Sequence, residues 1–177
     1  MLARVTSGSR TERNWLLWSV IWALLLLLAD QWTKMWFVQN LPETHIIEII
    51  PNWLNFTHVR NFGAAWSMFS GHVWPLLGFS LLVAAGIIIW FRKLAEGCPE
   101  RYIALLMLIS GTLGNAIDRG FRGSVVDFIQ VHYHSVWYYP VFNIADMAIC
   151  CGVGIFLISG LCRKNLSADK DHVECNG

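Results

Sequence analysis

Two short stretches place carboxylates where the chain is otherwise greasy. They are Gly114-Asn115-Ala116-Ile117-Asp118-Arg119, running on to Val125-Val126-Asp127-Phe128, and Phe142-Asn143-Ile144-Ala145-Asp146. Each joins an apolar segment to an acid, with an Asn or Arg nearby. An ionised carboxylate beside hydrocarbon is costly, so several of them kept there point to use rather than tolerance. The leading reading is an active site at membrane depth.

Asp127 and Asp146 are the candidates for the chemistry itself. Two carboxyls close together in a low-dielectric site do not both ionise easily, so such a pair holds one proton between them. The ionised member can take a proton from water as it attacks a carbonyl. The protonated member can bond the developing oxyanion and later help protonate the leaving amine. No metal or other cofactor is required.

The other polar residues have blander readings beside the functional one. Asp118 fits an ion pair with Arg119 or a bond to loop backbone, in support of the pair. Asn115 and Asn143 can orient carboxyls or substrate through their amides, and Asn143 also suits a helix N-cap. Asp30 and Lys34, four apart with the acid first, read as a structural helical ion pair whose lysine is free to snorkel toward phosphates. His58, His132 and His134 lack the Cys or Glu that would complete a familiar zinc set, so no metal site is assigned. No Gly-X-Ser-X-Gly or Ser/Lys arrangement suggests a nucleophile, and Gly111-Thr112-Leu113-Gly114 lacks a phosphate-loop lysine. Five cysteines make no disulfide framework, and Cys150 and Cys151 are expected to be buried in an apolar span.

The elements that must position these groups follow from composition. Of 177 residues, 55% are apolar and only 14% charged, and the mean hydropathy is +0.47. That balance excludes an ordinary soluble domain and points to a membrane protein; nothing in it indicates a nucleic-acid partner. Trp15 to Val38, Trp74 to Phe91, Tyr102 to Ile117 and Val141 to Leu161 are each read as a transmembrane helix, since about 20 helical residues cross a bilayer core. The first continues through Asp30 and Lys34 without a small-residue cleavage site, so it is read as a retained span.

Nine of the thirteen Lys and Arg fall before the first span, between the second and third, or after the fourth. By the positive-inside rule both termini are cytoplasmic, and the connections carrying Arg60, Arg119 and Arg122 lie outside. The third span thus delivers Asn115 and Asp118 to its outer end, and the fourth carries Asn143 and Asp146 back inward. Asp146 lies about 7 Å down that helix, at roughly 1.5 Å per residue, where it can meet Asp127.

The first outer connection, 39–72, is long and not polar. His45 to Ile50 and Trp53 to Val59 are strand-like, separated by Pro51-Asn52. They predict a small antiparallel β-sheet on the outer face, one side greasy and one wet. Residues 1–164 read as a single membrane domain, and the polar stretch 165–177 as an unstructured cytoplasmic tail.

Together the motifs resemble the lipoprotein signal peptidases, the bacterial type II signal peptidases. The resemblance rests on Asp30-Gln31-Trp32-Thr33-Lys34, Asn61-Phe62-Gly63-Ala64-Ala65, the Gly114–Arg119 stretch, Gly123-Ser124-Val125-Val126-Asp127-Phe128-Ile129 and Phe142–Asp146, in that order and with four spans. It implies an intramembrane aspartic endopeptidase of the bacterial inner membrane. Such an enzyme removes the signal peptide from diacylglyceryl-modified prolipoproteins, cutting just before the lipid-bearing Cys near the periplasmic face. By that comparison Asp127 and Asp146 are the catalytic pair. Asn61, Gly63, Asn115, Asp118, Arg119 and Asn143 support them or contact substrate, and a globomycin-type inhibitor is expected to act on the protein. Trp66 departs from the Phe more usual after Gly-Ala-Ala. Two rivals stay open on the residues alone: a proton-coupled transporter using Asp30, Asp127 and Asp146 as a relay, and a non-enzymatic assembly protein.

Overall fold

A computed structural model describes residues 10–64, 68–134 and 136–174. Trp66 lies outside the described residues. The chain runs α1 (Arg10–Asn40), β1 (Ile46–Ile50), β2 (Leu54–Asn61), α2 (Val73–Ile89), α3 (Phe91–Ala95), α4 (Pro99–Arg122), β3 (Val125–Tyr133), β4 (Trp137–Tyr138) and α5 (Ile144–Glu174). It is a mostly helical fold with one small sheet at the end where α1 and α4 finish and α2 and α5 begin.

The distribution of side chains inverts that of a water-soluble protein. Leu17, Trp18, Trp22 and Leu28 on α1, Phe79, Leu82 and Ile89 on α2, and Leu157, Ile158 and Leu161 on α5 face outward, while Asp30, Lys34, Asn115 and Asp118 are buried. Such a surface is satisfied by hydrocarbon, and such an interior only by its own polar partners. Among the described residues, Arg13–Asn40 and Ile144–Arg163 are long and apolar enough to cross a membrane, and Val73–Ile89 is a shorter apolar helix.

The third expected span is longer than its apolar stretch suggested and far from uniformly apolar. α4 buries Arg101, Ser110, Asn115, Asp118 and Arg119 along with Ala104, Gly111, Gly114 and Ala116. The reason is position: α4 packs against α1, α2 and α5, so its polar groups find protein partners instead of lipid. Close packing on α5 requires glycine at position 111, where a Cβ would stand 2.3 Å from the Ala145 carbonyl oxygen. α5 runs from Ile144 to Glu174.

The sheet has four antiparallel strands in the order β1-β2-β3-β4, rather than two alone. The added pair comes from the second outer connection, between α4 and α5, where the β-branched run around Asp127 lends itself to extension. β2 reaches Asn61 and pairs there with Val125, and Val59 sits opposite Asp127 after a register irregularity beginning at Phe56. Phe37 and Leu41 of α1's end meet Phe128 in a small core, with Phe56, Ile129 and Ile144 around it. The Phe37 and Phe128 rings stack with centroids 4.4 Å apart. This contact docks the sheet on the helices and sets the depth of β3.

Candidate active site

Asp146 is placed by the way α5 begins. Asn143 precedes the helix and accepts the Asp146 N–H on its Oδ1 at 2.9 Å. Asp146 Oδ2 accepts the Asn143 N–H in return at 3.2 Å, the reciprocal arrangement of a capping box. The other Asp146 oxygen, Oδ1, accepts from Asn115 Nδ2 at 2.8 Å.

Asp127 arrives from the sheet. Its Oδ1 accepts from Asn143 Nδ2 at 2.7 Å, and its Oδ2 accepts from Asn61 Nδ2 at 3.0 Å. Asn143 Nδ2 also donates to Asn115 Oδ1 at 3.2 Å. Two carboxyls from different elements are therefore bound to one continuous pair of amides. Both line a cavity of about 550 Å³ together with Asn61, Asn115 and Arg119. Burial pushes the Asp127 carboxyl up to about 7, and the charge of Asp146 adds to the rise; the Asn61 and Asn143 amides and the Lys34 charge pull the other way. Around neutral pH the pair can hold a single proton, which suits it to acid and base work on one substrate.

The supporting residues take partners that differ in part from those expected. Asp118 does accept a backbone N–H, but from strand β3 rather than a loop: that of Val126 at 3.1 Å. Its cations, however, are Lys34 at 3.0 Å and Arg122. Arg119 instead donates to the Gly63 carbonyl at 3.0 Å, tying the turn after β2 to the cavity wall. Asn61 Oδ1 accepts the Gly63 N–H at 2.9 Å, so Gly63 is gripped from both sides.

Lys34 is the clearest correction. It does pair with Asp30, at 2.8 Å, but it does not snorkel: it is fully buried. Two carboxylates buried in the bundle hold its ammonium more strongly than a distant headgroup can, because all three groups are shielded from bulk solvent. Cys150 and Cys151 are also corrected, since both are exposed on α5 and Cys150 lines the cavity. The histidines weighed as zinc ligands have separate backbone partners: His58 Nδ1 lies 2.9 Å from the Leu41 carbonyl, and His132 Nδ1 lies 2.8 Å from that of His134.

Two further polar residues join the site's support without having been singled out. Arg122 stands four after Asp118 on α4, a spacing that signals the pair. Gln31 accepts from Arg122 at 3.0 Å and donates to the Gly114 carbonyl at 3.1 Å; nothing in an isolated glutamine announces this.

Known proteins are similar to this chain in sequence and in overall fold. Residues 22–162 match the family model described as signal peptidase (SPase) II. The chain is 42% identical over 133 residues to a lipoprotein signal peptidase of Clostridium acetobutylicum, covering 75% of this chain and 85% of that one. It is 40% identical over 135 residues to the lipoprotein signal peptidase of Clostridium novyi, covering 75% and 91%. A solved structure described as a bacterial membrane enzyme superposes with a TM-score of 0.76 at 33% identity, covering 81% of this chain and 87% of that one. A family match over most of the chain, with relatives of this identity and coverage, leads to one conclusion: the chain belongs to the signal peptidase II family.

Proposed function

We propose that this protein is an aspartic endopeptidase that removes the signal peptide from diacylglyceryl-modified prolipoproteins, cleaving just before the lipid-bearing Cys. The observation that carries the reading is the convergence of Asp127 from β3 and Asp146 from α5 on one cavity, joined through Asn115 and Asn143.

In this reading a water sits between the two carboxyls. The ionised one takes a proton as the water oxygen attacks the scissile carbonyl, and the protonated one bonds the oxyanion. Collapse of the tetrahedral intermediate breaks the C–N bond, and a carboxyl proton goes to the leaving amine. Asn115 and Asn143 keep the carboxyls oriented, Asp118 holds β3, and Asn61, Gly63 and Arg119 form the rim that meets the peptide. The substrate's acyl chains stay in the bilayer, which limits the poses its carbonyl can take.

The same reading places α1, α2, α4 and α5 across the bacterial inner membrane as four spans, with both termini cytoplasmic and the cavity near the periplasmic face. The asymmetry of Lys and Arg supports that orientation, and the outward Leu, Phe and Trp side chains support the lipid surroundings. A globomycin-type inhibitor is expected to compete for the cavity.

Purified protein incubated with a lipid-modified prolipoprotein tests this directly. Release of the signal peptide that disappears in folded Asp127→Asn and Asp146→Asn proteins supports the assignment. Full cleavage by either variant, or proton-linked transport without cleavage, overturns it.

A further inference from the structure

Asp30 and Lys34 are not part of the proposed reaction, yet they sit at the centre of the buried polar network. Lys34 Nζ has three donors and three partners: Asp30 Oδ2 at 2.8 Å, Asp118 Oδ2 at 3.0 Å and Asn115 Oδ1 at 3.0 Å. The two carboxylates reach outward from this centre in a matching way. Asp118 Oδ2 accepts the N–H of Val126, at 3.1 Å; Val126 immediately precedes Asp127. Asp30 Oδ1 accepts the N–H of Ala145, at 2.9 Å; Ala145 immediately precedes Asp146.

We infer that Lys34 is a positioning residue for the reaction, the hub of a two-armed clamp that holds the backbone before each of the two aspartates and fixes the Asn115 amide between them. The inference rests on the reading of Asp127 and Asp146 as the reacting pair. One arm grips the sheet and the other the start of α5, two elements with no covalent link shorter than the connection between them. A rigid hub common to both sets the separation of the two carboxyls, which hydrogen bonds within either element alone do not do.

The geometry selects lysine. A compact ammonium meets three acceptors in three directions, whereas a planar guanidinium cannot match that set from the same backbone position. The charge matters as well. With Arg122 on Asp118, two cations balance Asp30 and Asp118, so the cluster is neutral and self-contained in a low-dielectric interior.

The test compares the parent with Lys34→Met, Lys34→Arg and the charge-balanced Lys34→Met/Asp30→Asn protein, measuring kcat and KM on a lipid-modified prolipoprotein across pH. Misplacement of a reacting group by an ångström costs on the order of 100-fold, so kcat is expected to fall about 100-fold in every variant while KM stays within about threefold. A purely structural role would lower the amount of folded enzyme and leave kcat per folded molecule unchanged. Loss of the buried cation in Lys34→Met is expected to move the acidic limb of the kcat profile to higher pH, because a nearby positive charge favours ionised carboxylates; Lys34→Arg keeps the limb where it was.

If the Met variants do not fold, amide hydrogen exchange of the parent decides, since the clamp requires the Val126 and Ala145 N–H groups to be among the slowest at this end of the bundle. Folded Lys34→Met with kcat within threefold of the parent, or rapid exchange at either amide, overturns the inference. Activity surviving in Asp127→Asn or Asp146→Asn instead overturns the reading beneath it, and the exchange result still reports on the clamp.

Discussion

Asn143 and Asp146 bond each other twice, side chain to backbone in both directions, at 2.9 Å and 3.2 Å. The start of α5 and the orientation of a carboxyl in the cavity are therefore one structural event. Asn143 Nδ2 then reaches Asp127 at 2.7 Å, so a single side chain serves the helix cap and both acids.

That double duty can be separated. Asn143→Asp keeps an oxygen for the Asp146 N–H but loses the amide donors to Asp127 and Asn115. The helix is expected to persist by circular dichroism, while prolipoprotein cleavage falls at least about 100-fold, the scale on which positioned proton-transfer groups act. Asn143→Ala, which also removes the cap, is expected to cost about 1 kcal/mol more in stability.

Asp127 makes stability depend on pH with a defined sign. Its folded value of about 7 lies above the ordinary 3.8, so the folded state holds the proton more tightly than the unfolded one. Its favourable contribution is complete below about pH 4 and is lost as pH rises through 7. The melting temperature of Asp127→Asn relative to the parent is therefore expected to climb between pH 5 and 8, even though the variant does not cleave. A difference that stays flat over this range refutes the assignment of burial as the cause.

The same proton bears on rate. On the proposed mechanism the pair works with one proton held, so kcat/KM for the free enzyme is expected to decline on the alkaline side with an apparent pKa around 7, which belongs to the coupled pair rather than to Asp127 alone. A pH series on a lipid-modified prolipoprotein measures it.

Gly111 and Gly154 offer a matched comparison within the bundle. A Cβ at 111 would meet the Ala145 oxygen at 2.3 Å and Ile149 Cγ1 at 2.8 Å, whereas one at 154 meets nothing within 4 Å. Gly111→Ala is expected to push α5 from α4 at a cost of about 1–3 kcal/mol, the usual range for overpacking. It also displaces Asp146, which sits one residue beyond the clash. Gly154→Ala is expected to be neutral or slightly stabilising, read by thermal unfolding alongside cleavage.

Arg119 holds the Gly63 carbonyl from the cavity wall. Arg119→Gln is expected to raise KM more than it lowers kcat, because the rim proposed to meet substrate loosens while both carboxyls keep their amide partners. Steady-state kinetics on one prolipoprotein separates the two effects.

Much of this was legible in one dimension. Apolar length marked the helices, and Asn and Asp next to those runs marked the cavity, because the cost of burying such groups makes their placement informative by itself. β1 and β2 were visible for the same reason that β-branched runs bounded by Pro-Asn usually are. What failed to show were β3 and β4 as partners of that hairpin, since pairing between residues some seventy positions apart depends on where α4 ends and not on any local pattern.

Lys34 shows the boundary most clearly. Its residue type and spacing from Asp30 determined that a helical ion pair would form, and local geometry is enough for that. Whether the ammonium turned to the membrane surface or inward was decided only when α4 packed against α1 and brought Asp118 and Asn115 within 3.0 Å. The exposure of Cys150, the choice of Gly63 over Asp118 by Arg119, and the grip on Val126 and Ala145 were settled in the same way. Chain order determines which groups exist and which helix or strand carries them, but electrostatic partners in a dry interior are chosen by distances across elements, and those exist only once the elements are packed.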